Sequence, residues 1–260
     1  MKQRVVTAMM GLVIFLVPLV IGGSVFALLV AAMAVVGFME LLRMNQLSLF
    51  SMPAFIGLLL SLFLLVAGPQ STFIPNDALL MSMIVAVWLL LLVTVISANR
   101  YNFEKVAFVA FAALYVGFGL HFFLAARLEE GFAFVLFVLI AIWATDTGAY
   151  LFGRKFGKRP LWPKISPKKT VEGALGGFAL ALVASVIFAS FWPPFPSLWL
   201  TIVAVIVISV AGQCGDLVES AFKRYYNVKD SGKILPGHGG ILDRFDSLIF
   251  VFPALYVLMI

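Results

Sequence analysis

The chain has 260 residues, 63% of them hydrophobic and 12% charged, with a formal net charge of +6 and a mean hydropathy of +1.11. A soluble fold could not bury that much apolar surface, whereas lipid accepts it where each spanning segment closes its own backbone hydrogen bonds, which selects helices of about 20 apolar residues. A membrane barrel would need alternating segments of roughly 10 residues, which the sequence lacks, and the single cysteine, Cys214, excludes an internal disulfide framework and reads as a small helix-packing residue.

The N-terminal run MKQRVVTAMMGLVIFLVPLVIGG starts basic and turns apolar, as a signal peptide does, but its apolar stretch is long and no small-residue cleavage site follows, so it reads as a retained first span. Charges and Gly/Pro breaks then mark nine apolar segments, near Val5–Ile21, Ser24–Leu42, Met52–Ala67, Asp77–Ala98, Glu104–Ala126, Phe132–Leu151, Val171–Phe191, Ser197–Phe222 and Leu242–Ile260. The weakest divisions are Gly22-Gly23, where two segments nearly fuse, and the eighth segment, which carries Asp216 and Glu219 well before its end. The expected fold is an all-α, polytopic membrane protein of about nine transmembrane helices. It forms a single membrane domain over 1–260, in which spans 1–130 have no assigned role and 131–260 supply the active spans and loops.

Basic residues near spans stay in the cytoplasm. With the N-terminus inside, that side receives Lys2, Arg4, Arg43, Arg100, Lys105, the seven basic residues from Arg154 to Lys169, and Lys223, Arg224, Lys229, Lys233 and Arg244. The other side receives only Arg127, a division of 17 to 1 among the 18 Lys and Arg that an even span count would spoil. The two long connections, Phe152–Thr170 and Lys223–Ile241, are then both cytoplasmic.

Acidic residues within spans are costly, which makes Asp146, Glu172, Asp216, Glu219, Asp243 and Asp246 functional candidates. All six fall within about two turns of the cytoplasmic end of their helix, at one depth. Asp216 and Glu219 are spaced i, i+3, as are Asp243 and Asp246, so each pair shares a helix face. Two facing acidic pairs could hold a hard cation such as Mg²⁺, which takes one or two carboxylates plus substrate phosphates. The alternative is structural pairing with Lys and Arg, for which Arg244 is an obvious partner and Glu219 the best-suited acid.

Most charges in the loop RKFGKRPLWPKISPKKT read as ordinary membrane anchors. Its end differs: Lys168, Lys169 and Thr170 stand at a helix N-terminus, where free N–H groups and the dipole attract phosphate. Thr170 suits the N-cap, with Glu172 close behind. Upstream, Asp146 in WATDTGAYLFGRKFGK precedes a glycine-containing helix end that backbone or ligand could approach closely. His238 lies in the turn PGHGG and reads either as a turn residue or as a catalyst; GHGG is not a Walker A loop.

From Ser220 to Asp246 the sequence SAFKRYYNVKDSGKILPGHGGILDRFD resembles the full signature of the phosphatidate cytidylyltransferase family. Ser220, Lys223-Arg224, Lys229-Asp230, Gly232, Pro236, His238-Gly239-Gly240, Asp243-Arg244 and Asp246 stand at that family's spacing. The runs TDTGAYLFGRKFGK, ISPKKTVEGALGG and GQCGDLVES are also similar to blocks of those enzymes, except that Cys214 stands where an aliphatic residue is expected. The motifs cover roughly Trp143 to Asp246; the first five spans match only in being hydrophobic. The resemblance implies transfer of CMP from CTP to phosphatidic acid, giving CDP-diacylglycerol and pyrophosphate at the cytoplasmic face of the cell's inner membrane. It implies that Asp216, Asp243 and Asp246 hold Mg²⁺ and a possible second cation, and that Lys168, Lys169, Lys223, Arg224 and Lys229 contact phosphates. Asp146, Thr170, Asp230 and Arg244 complete the implied substrate site, and His238 would protonate or orient. The attacking phosphate monoester is already ionised near neutral pH, so a dedicated general base is not obligatory. No nucleic-acid partner is implied, and a homodimer is left open. The competing readings are a cation transporter or channel with an intramembrane acidic site, and another CTP-dependent lipid kinase or nucleotidyltransferase.

Overall fold

A computed structural model of the chain describes residues 2–67, 76–237 and 239–259. Among these there are nine helices: α1 Lys2–Ile21, α2 Gly23–Met44, α3 Met52–Val66, α4 Asn76–Ile96, α5 Phe103–Glu129, α6 Gly131–Phe156, α7 Val171–Phe191, α8 Leu198–Tyr225 and α9 Leu242–Met259. Six of them, α2 and α4 to α8, are long and apolar enough to cross a membrane, and α1 and α3 contain shorter apolar helices. Large apolar side chains such as Leu28, Trp88, Val95 and Leu175 are exposed along these helices, as expected of surfaces that meet lipid rather than water. The chain is an all-α integral membrane protein.

The division at Gly22-Gly23 is real. Both glycines take positive φ, 73° and 53°, a backbone state that L side chains rarely adopt, so α1 and α2 cannot fuse. The sixth expected span, by contrast, runs five residues further than predicted, to Phe156. Arg154 and Lys155 therefore sit in the last turn of α6, where cations complement the helix dipole, and Gly157 is the C-cap. The following loop holds two strands the sequence did not announce, β1 Pro160–Trp162 and β2 Ser166–Thr170, paired antiparallel with Pro160 opposite Thr170.

The chain divides into two compact units. The first contains Met1–Ala125 and Val228–Arg244. Within it Phe123 of α5 packs on Phe15 of α1 and edge-on to Phe26 of α2, with ring centroids 6.2 and 5.1 Å away, and Gly117 of α5 lies against Ser61 and Leu64 of α3. The second unit contains Ala126–Asn227 and Phe245–Ile260, and its dominant contact is α6 on α7. Glycines on both helices bring the backbones together. A Cβ on Gly148 would lie 2.7 Å from the Gly176 carbonyl oxygen, and one on Gly177 would lie 2.5 Å from the Thr145 carbonyl oxygen. Small residues of this kind let membrane helices approach closely.

That packing makes a prediction. In Gly177→Ala the new methyl meets backbone, which cannot rotate away, so the helices must separate at a cost of about 1–3 kcal/mol. The thermal unfolding midpoint of the purified protein should fall by about 5 °C. Gly11→Ala, where a Cβ meets nothing within 4 Å, should leave it unchanged. Equal midpoints for the two variants would show that the α6–α7 contact has slack.

Candidate functional site

In the second unit the close α6–α7 pair carries Asp146 on one helix and the β2–α7 junction, with Lys168, Lys169 and Thr170, on the other. Asp216 comes from α8, which packs on α7. Asp146, Tyr150, Lys168, Lys169, Thr170 and Asp216 line one cavity of about 270 Å³. Lys169 Nζ stands 2.6 Å from Asp216 Oδ2, and Ser220 Oγ donates to Asp216 Oδ1 at 3.4 Å. Thr170 is the N-cap of α7: its backbone is extended and its hydroxyl accepts the Gly173 N–H at 3.1 Å, as its position before the helix predicts. The cavity therefore combines carboxylates, ammonium groups and a helix N-terminus.

Asp246 is buried in the same unit, close enough to feel the charges of both Asp216 and Asp146, and its Oδ1 accepts the Ser247 N–H at 2.7 Å. Its place on α9 is fixed where Gly215 of α8 admits the Asp246 backbone and Ser247 Oγ donates to the Gly212 carbonyl at 3.2 Å. Three carboxylates thus gather in one unit. Among the described residues no group of three or more His, Cys, Asp or Glu side chains is placed to hold a metal ion by itself. The donor set instead suits a hard cation held by one or two carboxylates and completed by substrate phosphates.

The remaining expected residues take other places. Glu219 is buried and paired with Lys223 at 2.5 Å, an i, i+4 bridge on α8. Glu172 accepts the N–H groups of Lys158 and Arg159 at 3.0 and 3.2 Å, which holds the entry to the β-hairpin. Arg224 Nε donates to the Ile165 carbonyl at 3.2 Å, tying the end of α8 to the hairpin turn.

Lys229, Asp230, Asp243 and Arg244 belong to the first unit. There Lys229, Asp230 and Arg244 are exposed, and Asp243 Oδ2 accepts the Ser231 N–H at 2.8 Å and the Gly240 N–H at 2.8 Å and lies 3.0 Å from the Ser231 hydroxyl oxygen. His238 lies outside the described residues.

Sequence reasoning missed Tyr150 and Gln213, which also line the cavity, and Glu40 of α2, which is 1% exposed. For Glu40 the signal existed: it is the one acid in α2, four residues from that helix's end, after a long apolar run.

Comparison with known proteins extends the likeness well beyond the motifs. Residues 2–260 match the model of the Cytidylyltransferase family. The whole chain is 47% identical to the phosphatidate cytidylyltransferase of Bacillus subtilis (strain 168), covering 97% of that protein. It is 43% identical to those of Staphylococcus haemolyticus (strain JCSC1435) and Staphylococcus aureus (strain COL), covering 99% of each. Because the match spans the N-terminal helices as well as the signature, the chain belongs to the cytidylyltransferase family.

Proposed function

We propose that this nucleotidyltransferase moves CMP from CTP to phosphatidic acid, forming CDP-diacylglycerol for phospholipid biosynthesis. The observation that carries this reading is the cavity where Asp146 and Asp216 face Lys168, Lys169 and the start of α7, in a chain similar along its whole length to phosphatidate cytidylyltransferases. An oxygen of the lipid phosphate attacks the α-phosphorus of CTP; the new P–O bond forms as the bond to the β-phosphate breaks, and pyrophosphate leaves. Such chemistry needs positioning and charge neutralisation more than proton transfer. Lys168, Lys169 and the N–H groups at the start of α7 neutralise phosphate oxygens, and Lys169 exchanges Asp216 for phosphate as substrate enters. Asp216 and Asp246, with Asp146 beside them, would hold Mg²⁺, which draws charge from the phosphates. The resemblance would add Asp243 to that set. A cation transporter would have no use for a phosphate-binding helix end beside its acids. Purified protein in vesicles containing phosphatidic acid should form the liponucleotide on addition of CTP and Mg²⁺; no product would remove the assignment.

The same reading sets orientation. The N-terminus and the cavity face the cytoplasm and the C-terminus faces the far side, because 17 of the 18 Lys and Arg then lie inside. A reporter fused after Ile260 should respond as a non-cytoplasmic one. A cytoplasmic response would show that the number of spans is even.

A further inference from the structure

Glu40 lies near the end of α2, far in sequence from every motif of the family signature, yet it is one of the most deeply buried charged side chains in the first unit, at 1% exposure. A carboxylate in such a place is costly unless it is fully hydrogen-bonded. It is. Oε1 accepts the Ile241 N–H at 2.9 Å, and Oε2 accepts the Leu242 N–H at 2.9 Å and the Ser231 hydroxyl at 2.8 Å. Ile241 and Leu242 open α9, so Glu40 supplies from another helix the cap that a local Asp or Ser gives elsewhere, and its charge complements the dipole there. Ser231 carries the contact onward, because its hydroxyl also lies 3.0 Å from Asp243 Oδ2 and its N–H donates to the same oxygen.

The glycines of the signature loop fit this arrangement. Built Cβ atoms on Gly232 and Gly240 would both run into the Glu40 carboxylate, and the one on Gly240 would also strike the Ser231 hydroxyl. Those positions are small because Glu40 fills the space.

We propose that Glu40 is a positioning residue for the transfer reaction: from α2 it fixes the loop Val228–Ile241 and the first turn of α9, and through Ser231 it sets the carboxylate of Asp243. The active-site part of this inference rests on the proposed function. It gives the N-terminal spans a task that their apolar composition conceals, which is to hold the signature loop in register.

The test uses Glu40→Gln, which keeps size but offers one acceptor oxygen instead of two and turns an amide N–H₂ toward donors. Glu40→Asp keeps the charge on a shorter arm. For monodisperse full-length protein, the Gln variant should lose about tenfold in kcat, while its thermal midpoint falls by no more than that of Glu219→Gln, an equally buried acid outside the loop. The Asp variant should recover part of that loss. Trypsin cleavage after the exposed Lys229 and Lys233 should quicken by about tenfold in Glu40→Gln, while cleavage after Lys155 and Lys158 keeps its wild-type rate, because only the loop is loosened. Faster cleavage at Lys155 and Lys158 as well as at Lys229 and Lys233 would show that Glu40 merely supports the fold and would overturn the proposal. So would wild-type kcat in Glu40→Gln, whatever the cleavage pattern. If the wild-type protein makes no liponucleotide the proposed function fails, and the cleavage pattern still decides whether Glu40 holds the loop.

Discussion

Asp216→Asn is expected to lower kcat by about a thousandfold or more, roughly 4 kcal/mol of transition-state stabilisation, while leaving the protein folded. Asp216 is the carboxylate on which the cavity converges: Lys169 Nζ is 2.6 Å from one oxygen, Ser220 donates to the other, and Asp146 and Asp246 lie near enough to feel its charge. Asn has nearly the same size, so the packing of α8 is preserved. What changes is charge. A neutral amide is a poor ligand for a hard cation, and its N–H₂ group turned toward Lys169 sets donor against donor. The loss should appear in kcat and in kcat/KM together, the pattern of an interaction made in the transition state. Glu219→Gln is the control, since Glu219 is buried against Lys223 rather than in the cavity; it should lower the unfolding midpoint and leave the Mg²⁺ dependence of turnover unchanged. Liponucleotide formation measured across Mg²⁺ concentrations decides the matter. An Asn variant with near wild-type turnover at low Mg²⁺ would take Asp216 out of the site.

Some of this arrangement was legible in the sequence because single residue types carry it. Apolar length gave the helices, and a Thr before an apolar run gave the cap of α7, which the Thr170 hydroxyl closes on Gly173. The intramembrane cost of charge pointed to Asp146, Asp216 and Asp246, which the second unit gathers. Features that depend on a partner distant in the chain were not legible. The strands Pro160–Trp162 and Ser166–Thr170 are short, rich in Lys and Pro, and without alternation, so no period-2 signal marks them. They are held from outside, by Glu172 on the N–H groups of Lys158 and Arg159 and by Arg224 on Ile165. Asp243 and Asp246 look equivalent at i, i+3, yet Asp243 Oδ2 takes two backbone N–H donors from the signature loop of the first unit while Asp246 is buried in the second. The cost of a charge in a span marks Glu40 as well, but its task does not show in the sequence, because its partners lie about two hundred residues away and local pattern arguments reach only neighbours on one helix face.

Lys169→Ala is expected to lower kcat/KM by about a hundredfold, roughly 2.7 kcal/mol, and the size of that loss separates phosphate contact from membrane anchoring. Composition cannot make this distinction, because both uses place lysines on the same side of the membrane. Geometry can. Lys169 is only partly exposed, lines the cavity and holds Asp216, so its removal strips a cation from the incoming phosphates and leaves Asp216 without its partner. Lys168 lines the same cavity but is exposed, and Lys168→Ala should cost about tenfold. Lys155 instead lies over the Phe156 ring, 5.3 Å from its centroid, in the last turn of α6. Lys158 contributes its backbone N–H to Glu172, a bond that alanine retains. Lys155→Ala and Lys158→Ala should therefore change kcat/KM by about twofold at most, within the range of exposed charges. The order of losses, Lys169 above Lys168 above the other two, is read in one steady-state assay with CTP and phosphatidic acid in vesicles. Equal and small losses at all four positions would mean that these lysines only anchor the chain to the membrane, and the cavity beside α7 would no longer be the phosphate site.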